Sequence, residues 1–183
     1  MNYTLKQISE ITKSEIVGNK DIKIKNIAFD SRTIYSTKNT AFLAISTKKN
    51  SGQKYIETVI EKGIDTIITE NKIDNSSINQ IITENSVEFL QTLAKYHFEH
   101  SHINSIGITG SNGKTILKEW LYQCLSNEFV TVKSPKSFNS QIGLPLSLLQ
   151  IDKKHELGIF EVGISKPGEM EKQENVFHPK IGL

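Results

Sequence analysis

The chain has 183 residues, one cysteine and a formal net charge of +2. That length allows one large domain or two small ones, and the apolar fraction is enough for a packed core. One cysteine excludes an internal disulfide, and no run reaches the about 18 apolar residues of a membrane-spanning helix. The pairs Lys48-Lys49 and Lys153-Lys154 are isolated, so nothing argues for nucleic acid. The N-terminus lacks the apolar core of a signal peptide, and the cytoplasm is the expected compartment.

In chain order, Ile22 to Phe29 alternates as a strand, through Ile22 and Ile24 with Ile27 and Phe29 beyond. It is followed by Asp30-Ser31-Arg32, where Arg32 can grip a phosphate in bidentate fashion or stand solvated beside an Asp-Ser turn. Thr40 to Ile45 reads as a buried strand, and Ser46 to Lys54 as a polar loop. Tyr55, Ile56, Val59 and Ile60 form a helical stripe that Gly63 is placed to end. Thr66 to Thr69 returns as a strand, and Glu70 to Asn79 is an exposed connection. Val87 to His97 carries Leu90, Leu93 and Ala94 at helical spacing. His97, His100 and His102 form a polar helix terminus and linker, because no cysteine or paired carboxylate completes a metal set.

A second half begins near Ile103. Its order is strand (Ser105 to Thr109), helix (Lys114 to Leu125), strand (Phe129 to Val132), helix (Leu144 to Leu149), strand (Leu157 to Glu161) and a short helix over Glu169 to Glu174. Such alternation predicts a mainly parallel sheet with helices on both faces. Cys124, beside Trp120 and Leu121, is expected on the buried face of its helix as an inert thiol. Residues 179–183 read as the start of a further strand, so the chain is expected to be a fragment of a longer protein.

The chemistry concentrates in Thr109-Gly110-Ser111-Asn112-Gly113-Lys114-Thr115. A glycine-rich turn between strand and helix aims backbone N–H groups and a helix N-terminus at one point, which suits a phosphate. Lys114 adds a mobile charge for the outer phosphates, and the Thr115 hydroxyl can sit on magnesium. The first glycine of the usual G-x-x-x-x-G-K-[ST] pattern is replaced by Ile108. A glycine-rich turn that merely caps a helix is the plain alternative. Glu161 ends an apolar strand, where open α/β sheets bind ligands, and can complete a magnesium site or be a surface carboxylate. Asn139 and Gln141 can hydrogen-bond a ligand or only brace their turn.

Together these segments resemble the Mur ligase family, ATP-dependent amide-forming enzymes of peptidoglycan synthesis. The likeness rests on the loop Thr109 to Thr115 without its first glycine, on Asn139-Ser-Gln-Ile-Gly-Leu-Pro145, and on Glu161-Val-Gly163. It also rests on Asp30-Ser-Arg32 followed by Ala41-Phe-Leu-Ala-Ile45. The resemblance implies an α/β chain. Residues 1–100 would form a small UDP-substrate-binding domain, and residues 103–183 the first part of a P-loop parallel-sheet ATP-binding domain.

It is most similar to the members that add D-alanyl-D-alanine to UDP-N-acetylmuramoyl-tripeptide. Ser134 to Gly143 and Gly163 to Met170 resemble the branch fused to a C-terminal alanine racemase, whose cofactor would be pyridoxal phosphate. The implied cofactors here are ATP and Mg2+. Gly110, Ser111, Asn112, Gly113, Lys114 and Thr115 would cradle ATP, Lys114 would stabilise the transferring phosphoryl group, and Asn139 would lie near the reacting groups. Thr115 and Glu161 would hold magnesium, and Ser31 and Arg32 the UDP end of the substrate. Many relatives carry Asn-His shortly after E-x-G. Here Ser165-Lys166 stand there, so no histidine role transfers. The family's modified lysine and amine-binding domain would follow residue 183, so this chain alone is expected to be inactive. Rival readings are a diaminopimelate- or lysine-adding ligase, a non-catalytic nucleotide-sugar binding module, and a P-loop kinase or GTPase. The last lacks a guanine-reading Asn-Lys-x-Asp.

Overall fold

The computed structural model describes residues 1–46 and 51–183. The Lys48-Lys49 pair and part of the expected loop Ser46 to Lys54 lie outside the described residues. Two compact units are present, Met1–Phe89 and Leu90–Leu183.

The first unit opens with β1 (Tyr3–Thr4) and α1 (Leu5–Thr12). Thr4 caps α1, accepting from the Gln7 N–H at 3.2 Å while the Gln7 side chain accepts from the Thr4 N–H at 2.9 Å. This reciprocal box satisfies two helix-end donors and starts the helix where Leu5 and Ile8 become fully buried. β2 (Glu15–Val17), β3 (Lys23–Ile24), β4 (Asn26–Ala28) and β5 (Thr40–Leu43) follow. α2 (Ile56–Glu61) then leads to β6 (Thr66–Thr69) and β7 (Asn79–Ile82). Gly63, at φ 93°, ends α2. Its N–H reaches Ile60 O at 2.8 Å and that of Ile64 reaches Val59 O at 3.0 Å.

The strand order is β2-β7-β6-β5-β4, parallel except for antiparallel β2–β7, while β1 and β3 form a separate antiparallel pair. The expected strand from Ile22 to Phe29 is therefore two strands in two sheets. They part at Lys25, where the N–H groups of Lys25 and Asn26 both turn to Asn39 O. β5 and β6 are buried throughout, as a sheet covered on both faces requires. Phe42, Ala44, Ile56, Val59, Ile64, Ile67 and Ile78 make the core.

The division between the units falls inside α3 (Ser86–Glu99). The second unit continues with β8 (Asn104–Ile108), α4 (Lys114–Leu125), β9 (Thr131–Lys133) and α5 (Gly143–Leu148). It closes with β10 (Leu157–Glu161), α6 (Glu169–Glu174) and β11 (Ile181–Gly182). All four strands are parallel, in the order β11-β8-β10-β9. The α/β class and parallel sheets are those expected.

Ile106, Ile108, Leu157 and Ile159 form one face, covered by Leu121, Tyr122 and Leu125 of α4. On the other face Phe177 packs edge-on against Phe160 and Phe98. A Cβ at Gly107 would come within 2.8 Å of Pro179 there, so this strand position admits only glycine. β9 begins two residues later than expected, leaving Phe129 and Val130 half-exposed. His97 is no simple polar terminus, since its Nε2 lies 2.9 Å from Ile151 O and burial lowers its pKa. Among the described residues no helix is long and apolar enough to cross a membrane.

Candidate functional site

The register of β8 and β10 sets Glu161 directly opposite Ile108. Strand-end carboxylate and glycine loop therefore leave the sheet side by side at its carboxyl edge, the ligand-binding edge of open α/β sheets. In the loop, Gly110 has φ 137° and Gly113 has φ 79°. A Cβ on Gly113 would meet nothing within 4 Å. Its requirement is thus conformational: the left-handed turn points the following N–H groups outward as α4 begins. Lys114, the first residue of α4, folds back so that Nζ donates to Gly110 O at 2.6 Å.

At the next residue, Thr115 Oγ1 donates to Glu161 Oε2 at 3.1 Å. Asn139 Nδ2 donates to the same oxygen at 3.4 Å. Asn139 is delivered by the turn between β9 and α5. Its carbonyl accepts from the Gly163 N–H at 2.7 Å and from Gln173 Nε2 at 3.1 Å. A Cβ at Gly163 would lie 2.7 Å from Asn139 Cγ, so glycine there is what admits the asparagine. The Glu161 N–H donates to Ser134 Oγ at 3.1 Å.

Glu161 is fully buried, not a surface carboxylate. Its charge is met by Lys118, also fully buried, whose Nζ lies 2.9 Å from Oε1. Lys118 was not legible as a site residue, because it reads as a polar position in an amphipathic helix. The available signal was spacing: it follows Thr115 by three residues and Lys114 by four, hence shares their face. The same rotation overturns the expectation for Cys124. Lys118, Leu121, Tyr122 and Leu125 face the sheet, while Ile116, Trp120 and Cys124 are exposed.

A cleft of about 400 Å3 opens beside Lys114, lined by Asn139, Gln141, Gly163, Ser165 and Glu169 among others. Glu169 accepts from the N–H groups of Ser165 at 2.6 Å and Lys166 at 3.0 Å. The Ser165 bonds, foremost among these, hold its carboxyl below the usual range. Among the described residues no three His, Cys, Asp or Glu side chains group to hold a metal.

Ser31 and Arg32 lie in the first unit. Ser31 is buried and its carbonyl accepts from Lys62 Nζ at 2.7 Å. Arg32 is largely exposed and forks onto Asp30, Nε to Oδ1 at 2.9 Å and Nη2 to Oδ2 at 2.8 Å. The side-chain bond from Arg32 leads the effects that bring Asp30 down to about 2.

The loop-and-carboxylate arrangement lies in a segment similar to known proteins. Residues 108–183 match the Mur ligase middle domain. The chain is also 33% identical to the UDP-N-acetylmuramoyl-tripeptide–D-alanyl-D-alanine ligase of Borreliella burgdorferi, over 92% of its own length and 41% of that ligase. The corresponding ligase structure from Acinetobacter baumannii superimposes with a TM-score of 0.91 at 27% identity, covering all of this chain and 41% of that one. A MurF ligase from Thermotoga maritima, solved in complex with ADP, aligns with a TM-score of 0.70 at 29% identity, over 85% of this chain and 36% of its own. This chain spans about two fifths of the length of the relatives it matches. Similarity to these ligases extends over both units, and the middle-domain match contains the glycine loop, Asn139 and Glu161.

Proposed function

We propose that the chain is part of an ATP-dependent ligase that adds D-alanyl-D-alanine to UDP-N-acetylmuramoyl-tripeptide. The observation that carries this reading is the meeting of Lys114, Thr115, Asn139 and Glu161 at one sheet edge, within a chain homologous to ligases of that name. ATP transfers its γ-phosphoryl group to the tripeptide carboxylate, giving an acyl phosphate and ADP. The amine of D-alanyl-D-alanine then attacks the acyl carbon, an amide forms, and phosphate leaves. The protein's share is positioning and charge neutralisation.

The loop N–H groups of Gly110 to Thr115 would receive the phosphates. Lys114 would leave Gly110 O for the transferring phosphoryl group. Asn139 would orient the reacting groups from the cleft wall, and Ser31 and Arg32 would hold the UDP end of the substrate.

Magnesium fits the donors present. Thr115 Oγ1 and Glu161 Oε2 are hard oxygen atoms 3.1 Å apart, and magnesium is commonly held by one or two such protein ligands plus substrate phosphates and water. When bound, it would neutralise phosphate charge. The likeness to the racemase-fused branch belongs to the same reading, and pyridoxal phosphate would then reside in that further domain. A compartment without disulfide chemistry, the cytoplasm, suits the one free thiol.

Thermal unfolding with Mg-ATP, with UDP-N-acetylmuramoyl-tripeptide and with the corresponding dipeptide tests the proposal, since a ligand that binds only the folded state raises the midpoint. A rise with Mg-ATP and with tripeptide but not dipeptide is expected. No rise with either sugar nucleotide would overturn the substrate assignment. Lys114→Ala should abolish the Mg-ATP shift and keep the tripeptide shift. Loss of both together would mean that the substitution unfolds the chain.

A further inference from the structure

Lys118 lies four residues beyond the loop lysine, with no part of its side chain exposed to solvent. A buried ammonium persists only where partners compensate it. Three surround this one: Glu161 Oε1 at 2.9 Å, Glu119 Oε1 at 3.4 Å and the carbonyl of Lys136. They come from three places in the fold, namely the end of β10, the outer side of α4, and the turn that delivers Asn139. Lys136 itself holds a left-handed φ of 49°, a conformation non-glycine residues adopt sparingly, and its carbonyl is tied to this ammonium.

The two oxygens of Glu161 are thereby made unequal. Oε1 has the Lys118 ammonium and no aligned hydrogen bond besides. Oε2 faces the Thr115 hydroxyl and the Asn139 amide. A carboxylate free to rotate could turn either oxygen, or both, toward a cation. Here its torsion is set from behind by a fixed positive charge. The compact ammonium suits this task, because it can touch a carboxylate and a carbonyl without the span of a guanidinium.

We propose that Lys118 is the positioning residue of the divalent-cation site, anchoring Glu161 Oε1 so that Oε2 alone is presented beside Thr115 Oγ1. The inference rests on the ATP-and-magnesium reading given above. Lys118 touches neither nucleotide nor substrate in this scheme. It acts through Glu161, and through Lys136 it couples that carboxylate to the turn bearing Asn139.

The test is calorimetric titration of the chain with ATP, once with excess Mg2+ and once with EDTA. The ratio of the two affinities measures the contribution of the cation. In Lys118→Gln that ratio should fall by about tenfold or more while the EDTA affinity stays within about twofold, as for other residues that orient a metal ligand. A ratio equal to that of the unaltered chain would overturn the proposal. If Lys118→Gln does not fold, the ratio is read on Lys118→Arg, which keeps a cation in the core but moves its charge away from the ammonium position. A reduced ratio there supports the proposal, and an unaltered one overturns it. Absence of any Mg2+ advantage in the unaltered chain would instead defeat the underlying nucleotide reading, and this inference with it.

Discussion

Arg32 and Lys118 each pair with a carboxylate, yet the two pairs differ in almost every respect that matters energetically. Arg32 reaches back two residues to Asp30 and is 86% exposed, so water screens the attraction. Lys118 reaches across 43 positions of sequence to Glu161, and both partners are wholly dry. The first unit builds its charged turn from neighbours in the chain, and the second builds its charged centre from distant elements. A local, solvated pair can change partner at little cost. A buried pair cannot, because parting would leave Glu161 without its cation and Lys118 with only Glu119 and the Lys136 carbonyl.

The sharpest way to break this contrast is Glu161→Ala. It takes the buried carboxylate away from Lys118 and leaves the ammonium only Glu119 and the Lys136 carbonyl, and a loss of about 3–5 kcal/mol in denaturant unfolding is expected. A loss below 1 kcal/mol, well under that estimate, would mean that water reaches Lys118 and that the centre is not dry. Gly163→Ala comes next, at about 1–3 kcal/mol, because its new methyl group would press on Asn139 at 2.7 Å. Gly113→Ala should cost about 1–2 kcal/mol, since the left-handed φ of 79° is its only obstacle. Comparing these two by calorimetric unfolding separates crowding from backbone strain within the same site.

In the first unit, Thr4→Ala removes one half of the capping box and should cost about 1 kcal/mol of unfolding free energy. The smallest effect is expected for Arg32→Ala, which should leave the unfolding midpoint at neutral pH almost unmoved. Its signature is instead in pH dependence. Asp30 is held at about 2, below its unfolded value of 3.8. Its small contribution is therefore present above the unfolded value and fades as pH falls through about 2. NMR titration of Asp30 should show this depression vanish in Arg32→Ala. An unchanged titration would show that the pair does not persist in solution.

How much of this was legible differs between elements. The loop from Thr109 to Thr115, the order of strands and helices after Ile103 and the end of α2 at Gly63 could be read directly. Each is written in adjacent residues, as glycine placement or periodicity. α1 is weakly written: Thr4-Leu-Lys-Gln7 carries a capping-box signature, but the helix has only eight residues and its apolar stripe is short. The exposed connection Glu70 to Asn79 overlaps β7 by one residue and no strand is expected beyond it, since the polar run from Glu70 masks Gln80, a buried residue whose side chain bonds both Ile73 N–H and Ile73 O. On α4, Leu121 packs inward as expected, but its neighbours Trp120 and Cys124 are exposed. Ile116, Trp120 and Cys124 are more apolar than Lys118, and hydropathy alone points them inward.

Adjacent residues are enough to specify the glycine-rich loop between strand and helix, the alternation that demands a parallel sheet, and the hydroxyl and carboxylate placed at or after its strand ends. These follow from local rules: only glycine turns left-handed freely, and only certain side chains offer hard oxygens or a fixed charge. Only packing makes Glu161 dry, brings a lysine three residues past the loop to neutralise it, and turns one of its oxygens to Thr115. Those outcomes depend on parallel register between β8 and β10 and on the rotation of α4 about its axis. Both are set by packing between residues far apart in the chain, where no local pattern records them.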